Sequence, residues 1–299
     1  MAGAKQSAAR PRLACEVNAS RVIAARASDK GSLEVFTLRQ LSYATVVPGL
    51  NGPNIQDASG LRSAVSSALA PLSGGSRDVI AILPDAAVRV LLLEFDDLPA
   101  KPQERDGVIR FRLKKSLPFD VEHSALSCDV RRANGTIQVV AAVSPREVIK
   151  EYETAFRDAG YSPGVVLPSS LAALGLLEGQ RPTLMLKVDA ENITVAATVS
   201  QELRLMRTLD NPHGEKVPAA ELAETVLPSI VFFEDTFGSR IEQVFVTGLA
   251  SVDEIGPMLH QQTGAQVREL APKISSSANL SGDSYEPSMM AGVAGALLR

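Results

Sequence analysis

The chain of 299 residues is long enough for one large domain or two smaller ones, each with a hydrophobic core of its own. Hydrophobic residues make up 45% of the sequence and charged residues 21%, which excludes the compositions of disordered and collagen-like proteins. A formal net charge of −4 with dispersed Lys and Arg, and no basic stripe interleaved with aromatics, argues against a nucleic-acid groove.

The N-terminal part of the chain predicts an opening β-hairpin followed by a helix. Leu13 to Ala27 alternates and carries β-branched residues, and the strand pattern resumes from Leu33 to Leu38 after the turn sequence Asp-Lys-Gly at 29–31. A Pro/Gly/Asn-rich loop, Val47 to Pro53, then leads to apolar residues that recur at helical spacing and end at Pro71. Those residues are Leu61, Val65, Ala68 and Leu69.

Two short runs that follow are apolar on both faces. They are DVIAIL at Asp78 to Leu83 and VRVLLLEF at Val88 to Phe95. Because this pattern is typical of strands that are covered on both sides, we expect both to be central strands of a sheet.

The pattern changes after these strands. A basic stretch from Arg110 to Phe119 precedes two predicted strands, Ala125 to Arg131 and Thr136 to Val143, which are joined across Asn134-Gly135. We interpret the segment from about 97–143 as a small inserted subdomain.

The middle of the chain returns to helices and then repeats the strand pattern of the N-terminus. Glu147 to Ala159 predicts an amphipathic helix that stops at Gly160, and Ser169 to Leu177 predicts a second helix. The strands that follow are Thr183 to Val188, Ile193 to Val199 and Leu203 to Thr208. The sequences VNA at Val17 to Ala19 and VDA at Val188 to Ala190 occupy matching places in the two halves, which indicates a duplication.

The remaining elements complete a second lobe. They are a long helix from about Ala219 to Phe237, a strand from Gln243 to Thr247 ending in Gly248, a helix from about Val252 to Thr263, a strand near Gln266 to Leu270, a loop from Ser275 to Ser284 and an Ala/Gly-rich C-terminal helix. Two α/β lobes, each opened by a hairpin, are the architecture of the actin, Hsp70 and sugar-kinase group. We therefore predict an actin-like α/β fold with two lobes and a small inserted subdomain, in which residues 12–180 form the first lobe and residues 181–299 the second.

Four segments in chain order carry a resemblance to a known family. They are RFRLKKSLPFDVEHSALSCDV at Arg110 to Val130, AAVSPREVIKEYETAFRDAGYSPGVVLPSSLAALGLL at Ala141 to Leu177, VFVTG at Val244 to Gly248 and MMAGVAGALLR at Met289 to Arg299. In this order they resemble the PilM family of type IV pilus assembly proteins, whose relatives include FtsA and the cytoplasmic part of GspL. GspL would be expected to continue toward a membrane span after the last helix, so we favour PilM.

The resemblance implies a nucleotide cleft between two hairpin turns, where glycine lets backbone N–H groups reach phosphate and carboxylates position Mg²⁺. The first turn is Glu16-Val17-Asn18-Ala19-Ser20, with Asn18 at the place of the glycine and Ile23 where a lysine is usual. If the alignment slips by two residues, Asn18 matches the aspartate instead. In either alignment the phosphate-binding pattern is damaged.

The second turn and the nucleoside-facing motif also depart from the family. Asp189 is kept, but Glu191 stands where the family has glycine, and after Thr247-Gly248 the second glycine is replaced by Leu249. The residues that the resemblance assigns to the cleft are Glu16, Asn18, Ser20, Asp189, Glu191, Thr247 and Gly248. We favour a degenerate cleft over retained binding of ATP and Mg²⁺. No catalytic residue or metal ligand is predicted, because His123, His213 and His260 lie in dissimilar segments.

The resemblance also implies a partner. In the PilM family a groove in the first lobe captures the short cytoplasmic N-terminal tail of PilN, an inner-membrane protein, and so helps to build the pilus alignment complex. The candidate groove residues are Arg89, Leu91, Leu93, Arg110, Arg112 and Lys114, with Lys115 in the same basic patch. The alternative is that the leucines belong to the core and the basic residues form a solvated helix face.

Two other functions compete with this one. An ATP-dependent kinase or hydrolase of the same fold needs glycine-rich phosphate turns, and a membrane-tethered filament former such as FtsA needs a terminal amphipathic helix. Met289 to Leu298 is instead rich in small residues and predicts a packed helix. No run of roughly twenty apolar residues is present, and the sequence starts without the apolar block of a signal peptide. We therefore expect a cytoplasmic protein, peripheral at the inner membrane through its partner, with Cys15 and Cys128 as free thiols.

Overall fold

The computed structural model describes residues 10–28, 32–133, 135–248, 251–272, 279–281 and 287–298. The strands are β1 (Leu13–Val17), β2 (Arg21–Ala27), β3 (Leu33–Gln40), β4 (Asp78–Leu83), β5 (Arg89–Phe95), β6 (Ser124–Ala133), β7 (Thr136–Pro145), β8 (Ser162–Pro168), β9 (Thr183–Val188), β10 (Asn192–Val199), β11 (Glu202–Asp210), β12 (Gln243–Gly248), β13 (Gln266–Glu269) and β14 (Asn279–Ser281). The helices are α1 (Ala58–Leu69), α2 (Pro102–Leu113), α3 (Arg146–Asp158), α4 (Ser169–Ala173), α5 (Ala219–Phe237), α6 (Val252–Thr263) and α7 (Ala291–Leu298), with 3₁₀ turns at Asp85–Ala87, Leu174–Leu176 and Pro287–Met290.

Two of the sheets in the described residues repeat one topology. The first has the order β3-β2-β1-β4-β8, with β14 added beyond β3, and the second has the order β11-β10-β9-β12-β13. In each, the first three strands of the lobe are antiparallel, and the remaining two pairings are parallel. The two sheets therefore share one topology, in agreement with the repeated strand pattern of the sequence.

Each face of the first sheet packs against different helices, because neighbouring residues of a strand point to opposite sides. Cys15 and Val17 lie in a core with residues of α1 and α3, whereas Ala14 and Ile23 lie in a core with residues of α7. The chain therefore returns to the first lobe at its C-terminal end, where β14 also pairs with β3. The predicted second lobe, residues 181–299, thus includes two elements that pack on the first sheet.

The crossing of α7 with the segment after α4 depends on glycine. A Cβ added at Gly295 would overlap the carbonyl oxygen of Ala172, and one added at Gly175 would overlap the carbonyl oxygen of Gly295. Because neither backbone leaves room for a side chain, the small residues in the C-terminal segment are a packing requirement, as the sequence predicts for this helix.

A third sheet, with the order β5-β7-β6, forms the inserted part together with α2. The prediction that Val88 to Phe95 is a central strand is wrong, because β5 pairs only with β7 among the described residues. Both of its faces are nevertheless partly buried. Leu91 and Leu93 pack toward α2, whereas Val90 and Leu92 pack toward the second lobe. The burial of its two faces therefore comes from α2 on one side and the second lobe on the other. The inserted sheet includes β5 and so starts before residue 97, the predicted start of the inserted subdomain.

Two smaller differences concern element boundaries. The run from Leu13 to Ala27 is divided into β1 and β2 by a turn at residues 18–20, and the predicted helix from Ser169 to Leu177 is α4 followed by a 3₁₀ turn. The predicted turn at residues 29–31, Asn134, and most of the predicted loop from Ser275 to Ser284 lie outside the described residues. Cys15 is buried and Cys128 is half-buried, and both are free thiols.

Candidate functional site

Asn18 stabilises the first of the two predicted turns through its backbone and its side chain. The backbone N–H of Asn18 donates to the carbonyl of Arg21 at 3.0 Å, which closes the hairpin between β1 and β2. Its side-chain oxygen accepts from the backbone N–H of Ser20 at 3.0 Å and of Arg21 at 2.8 Å. Two N–H groups that a phosphate could use are therefore already bonded to Asn18.

The second turn has the same closing bond. The N–H of Asp189 donates to the carbonyl of Asn192 at 2.8 Å, and Asn211 braces the turn from outside through its bonds to the carbonyls of Asp189 at 2.7 Å and of Glu191 at 3.0 Å. Burial, followed by the charge of Asp189, raises the pKa of Glu191. The two turns therefore lie where the duplicated topology predicts, with carboxylates rather than glycine at the second.

A buried ammonium group lies between the two lobes. Lys187, on β9, contacts the carboxylate of Asp189, and its Nζ lies 3.4 Å from Oδ2 of Asp85 in the first lobe. Asp85 also accepts hydrogen bonds from the N–H of Ser170 at 2.9 Å and from its hydroxyl at 2.5 Å. Burial acts to lower the pKa of Lys187, but the charges of Asp189, Asp85 and Glu16 outweigh it, so the pKa is raised and the side chain stays charged.

Glu16 supplies the third carboxylate around this ammonium group. Its Oε1 accepts a hydrogen bond from the hydroxyl of Ser169 at 2.5 Å, and its Oε2 is buried without a hydrogen-bond partner among the described residues. Burial raises the pKa of Glu16 from 4.5 to about 7, although the charge of Lys187 acts in the opposite direction. A Cβ added at Gly292 would overlap Oε2, so α7 closes directly over this carboxylate.

The nucleoside-facing motif also belongs to this site. The hydroxyl of Thr247 donates to the carbonyl of Ser288 at 2.5 Å, and Gly248 has a φ of +93° with no room for a Cβ beside the carbonyl of Val188. Leu249 lies outside the described residues.

The structure brings all of the predicted cleft residues together. Glu16, Asn18, Ser20, Asp189, Glu191, Thr247 and Gly248 line one cavity of about 30 Å³. Lys187 also lines this cavity, although it is not among the residues predicted from the sequence. The feature that could have identified it is a lysine inside the buried strand TLMLKV. The described residues contain no group of three or more His, Cys, Asp or Glu side chains arranged to hold a metal ion.

A much larger groove, of about 1730 Å³, lies beside the inserted sheet. Its walls are residues of β5, β7 and β6, the edge strand β11, and parts of β8, α5 and α7, with Arg112 of α2 at the border. Apolar side chains line much of it: Val90, Leu92, Val165, Leu171, Leu174, Leu177, Leu203, Phe232, Phe237 and Leu298. Charged side chains of both signs are also present: Arg10, Asp78, Glu94, Arg112, Asp129, Arg131, Glu178, Glu202, Arg204 and Arg207.

Two strands meet the groove with an edge that carries no strand partner in the described part of the chain. β5 pairs only with β7, and β11 pairs only with β10. Backbone N–H and C=O groups along such edges are available to an added extended chain. The groove therefore combines apolar surface, balanced charge and two unpaired strand edges.

The residues predicted to bind a partner divide into two groups. Leu91, Leu93 and Arg112 line the groove, whereas Arg89, Arg110 and Lys114 are not among its lining residues. Arg110 instead pairs with Asp106 at 2.8 Å and donates to the carbonyls of Val121 and Ser124, which holds the loop after α2 in place. The walls from the second lobe, such as Leu203 and Phe232, are not among the predicted residues, because they come from far along the chain.

The comparisons with known proteins identify the fold. The sequence matches no family model and no curated protein. Among solved structures, a chain of the PilM-PilN type IV pilus biogenesis complex matches with a TM-score of 0.79 and 18% identity, covering 96% of this chain and 98% of that chain.

Two further structures match over most of their length. The cytoplasmic domain of EpsL, an inner membrane component of the type II secretion system of Vibrio cholerae, has a TM-score of 0.55 and 11% identity, covering 95% of this chain and 94% of that one. The ethanolamine utilization protein EutJ from Carboxydothermus hydrogenoformans has a TM-score of 0.52 and 10% identity, covering 96% and 89%. At these identities the similarity shows a shared fold. It confirms the predicted actin-like fold and, at the level of the fold, the predicted resemblance to PilM.

No helix in the described ranges has the length and apolar character that crossing a membrane requires.

Proposed function

We propose that this protein is a PilM-like assembly protein of a type IV pilus machine. In this proposal its groove binds the cytoplasmic N-terminal tail of a PilN-like inner-membrane protein, and the protein is thereby held at the inner membrane from the cytoplasmic side. The observation that carries the proposal is the groove of about 1730 Å³ between the inserted sheet and the two lobes.

The character of the groove favours an extended peptide over a small molecule. Ligand pockets for small molecules are typically about 300–1,000 Å³ and enclosed, whereas this groove is larger and runs along two unpaired strand edges. A peptide in extended conformation can bond to a strand edge through its backbone and place alternate side chains on apolar surface. Leu92 of β5 and Leu203 of β11 supply such surface.

The similarity to the PilM-PilN complex supports the same partner class. That similarity extends over 96% of this chain, so it includes both lobes and the inserted sheet that form the groove. The name of the complex also shows that a protein of this fold works with PilN in pilus biogenesis.

We further propose that the cleft between the lobes does not serve a nucleotide. A cavity of about 30 Å³ holds a few water molecules at most, which is far less than the volume of a nucleotide. Lys187 already supplies the positive charge that faces Asp85 and Asp189, and the N–H groups of the first turn are bonded to Asn18. The residues present therefore do not fit ATP and Mg²⁺, and we derive no catalytic step from them.

Titration calorimetry tests the peptide proposal. The probe is a synthetic peptide with the N-terminal cytoplasmic sequence of a neighbouring gene product that has one membrane span and a periplasmic domain. We expect binding to the wild type and a loss of affinity of at least about tenfold in Leu203→Ser, because apolar side chains inside an interface carry much of its free energy. Met258→Ser is the matched control, since Met258 is exposed on α6 and does not line the groove.

The outcomes are distinct. No binding at about 1 mM peptide, a free energy near −4 kcal/mol, would contradict the proposed function. Equal affinities in the wild type and both variants would place the tail outside the groove.

A further inference from the structure

Helix α2 has one buried face and one exposed face. Ile109 and Leu113 pack against the three-stranded sheet, as the burial of both residues shows. On the opposite side, Val108 is 37% exposed and Phe111 is 73% exposed. Val108 and Phe111 are three residues apart and therefore lie on one side of the helix as an apolar stripe, and Lys114 and Lys115 follow in the turn after α2.

The charges beside this stripe are unbalanced. Arg112, Lys114 and Lys115 are exposed, and no ion pair among the described residues includes them. The acidic side chains of the helix are engaged elsewhere: Asp106 with Arg110 at 2.8 Å, and Glu104 with Lys101 at 2.9 Å. In the loop that follows, Asp120 bonds to His123 at 2.5 Å, although the charge of Lys114 also reaches it, and Glu122 is exposed. The C-terminal end of α2 is therefore a cationic surface around an exposed aromatic ring.

The helix dipole explains the cations of this surface but not its exposed aromatic ring. Cations at the C-terminal end of a helix interact favourably with its dipole, which explains Arg112 and Lys114 without any partner. It does not explain Phe111, whose ring lies in water and lines neither the groove nor the cleft. Such a ring loses apolar exposure only when something outside the described chain covers it.

We propose that this face of α2 is a contact surface for an anionic lipid bilayer. Acidic headgroups complement the three cations, and the headgroup region can accept an isolated Phe at any register. A folded acidic protein would complement the same charges, but it would need a pocket shaped for Phe111. A lipid bilayer can therefore accommodate the single exposed ring of Phe111 without a pocket of matching shape, whereas a protein partner needs one.

The proposal goes beyond the proposed function and does not depend on it. A surface with one aromatic ring and three cations binds a membrane weakly and reversibly, because stable attachment takes two signals. Where a membrane partner also holds the protein, the two contacts add as linked binding events. Arg112 lies at the border of the groove, so it is left unchanged in the variants that test this surface.

Vesicle flotation with the full-length protein, without any peptide, tests the proposal. The probes are vesicles of phosphatidylglycerol mixed with phosphatidylcholine, and vesicles of phosphatidylcholine alone. We expect binding to the anionic vesicles only, weakened by added salt. Phe111→Ser should lower the bound fraction by about tenfold or more, and Lys114→Glu/Lys115→Glu by at least about twentyfold, at roughly fivefold for each cation lost.

Two control variants test whether the loss of an exposed apolar residue or of a positive charge elsewhere on the protein also weakens vesicle binding. Val231→Ser removes another exposed apolar residue, on α5, and Lys216→Glu reverses an exposed charge in the second lobe; both variants should bind like the wild type. Absence of binding to anionic vesicles, or equal binding by wild type and the Phe111 and Lys variants, would overturn the proposal. Retention on polyglutamate without vesicle binding would overturn it in favour of an acidic protein. Peptide binding in the groove is measured separately, so the two proposals fail independently.

Discussion

The ammonium group of Lys187 lies 3.4 Å from the carboxylate of Asp85, and this pair joins the two lobes across the buried cleft. Asp85 follows β4 in the first lobe, whereas Lys187 is on β9 of the second. Both side chains are almost fully buried. Removing one partner of such a pair leaves the other charge unpaired in a medium that solvates it poorly.

Lys187→Met is therefore expected to destabilise the protein strongly. Asp85, Asp189 and Glu16 would lose the cation that faces them, and breaking a buried pair in this way typically costs about 3–5 kcal/mol. Chemical denaturation measures the free energy of unfolding. Lys150→Met is the control, because Lys150 is exposed and lies 3.8 Å from Glu147, and it should cost less than about 1 kcal/mol. A loss below about 1 kcal/mol in Lys187→Met would mean that the cleft is hydrated and the pair screened.

Glu16→Gln is expected to change how stability depends on pH. The pKa of Glu16 is raised from 4.5 to about 7, so the folded state binds a proton more tightly than the unfolded state. Between these values the free energy of unfolding falls as pH rises, and the full cost, on the order of 3 kcal/mol, is present above pH 7. Glutamine has no proton to lose, so the variant should lose less stability than the wild type between pH 5 and pH 8.

Denaturation at several pH values measures this difference. Glu147→Gln, which changes an exposed carboxylate, should follow the wild type at every pH. Parallel pH profiles for wild type and Glu16→Gln would show that Glu16 ionises normally in the folded protein.

Gly295→Ala is expected to disrupt the packing of α7 on the first lobe. The added methyl group would overlap the backbone carbonyl of Ala172, which cannot move away as a flexible side chain could. Overpacking of this kind typically costs about 1–3 kcal/mol. Gly107→Ala, in open space on α2, should instead stabilise by about 0.5–1 kcal/mol, because alanine is the better helix former. Similar melting temperatures for the two variants would contradict the close crossing.

Millimolar Mg-ATP is expected to leave the melting temperature unchanged. A ligand at a hundred times its dissociation constant would add about 2.7 kcal/mol, a shift of a few degrees for a protein of this size. We also expect little response from Glu191→Gly, because Lys187 and Asn18 still fill the cleft. A clear shift in the wild type would show that the cleft opens to accept nucleotide, and a shift in Glu191→Gly alone would identify that carboxylate as the barrier.

The cleft residues could be predicted because each turn is recognisable from the local sequence around it. Asn18 and Asp189 each follow a buried strand and precede another, and the repeated topology places both turns at one cavity. The pair between Lys187 and Asp85 could not be predicted in this way. Its two residues lie far apart in sequence, and only the packing of one lobe on the other brings them within 3.4 Å.

β5 shows a second limit of local patterns. The apolar run from Val90 to Leu93 predicts cover on both faces, and both faces are partly buried in the structure. The apolar pattern does not identify the elements that pack against each face. The pattern predicts a place in the central sheet, whereas in the structure one face of β5 packs toward α2 and the other toward the second lobe. The groove could not be predicted for the same reason, since Leu203 and Phe232 reach it from the second lobe.

Site-specific photo-crosslinking tests the central claim most directly. A photoreactive phenylalanine analogue replaces Leu203 inside the groove, or Met258 on the exposed side of α6, and the partner's N-terminal peptide is added before illumination. The groove model predicts a crosslinked product from position 203 and none from position 258. A crosslink from position 258 with none from position 203 would contradict it.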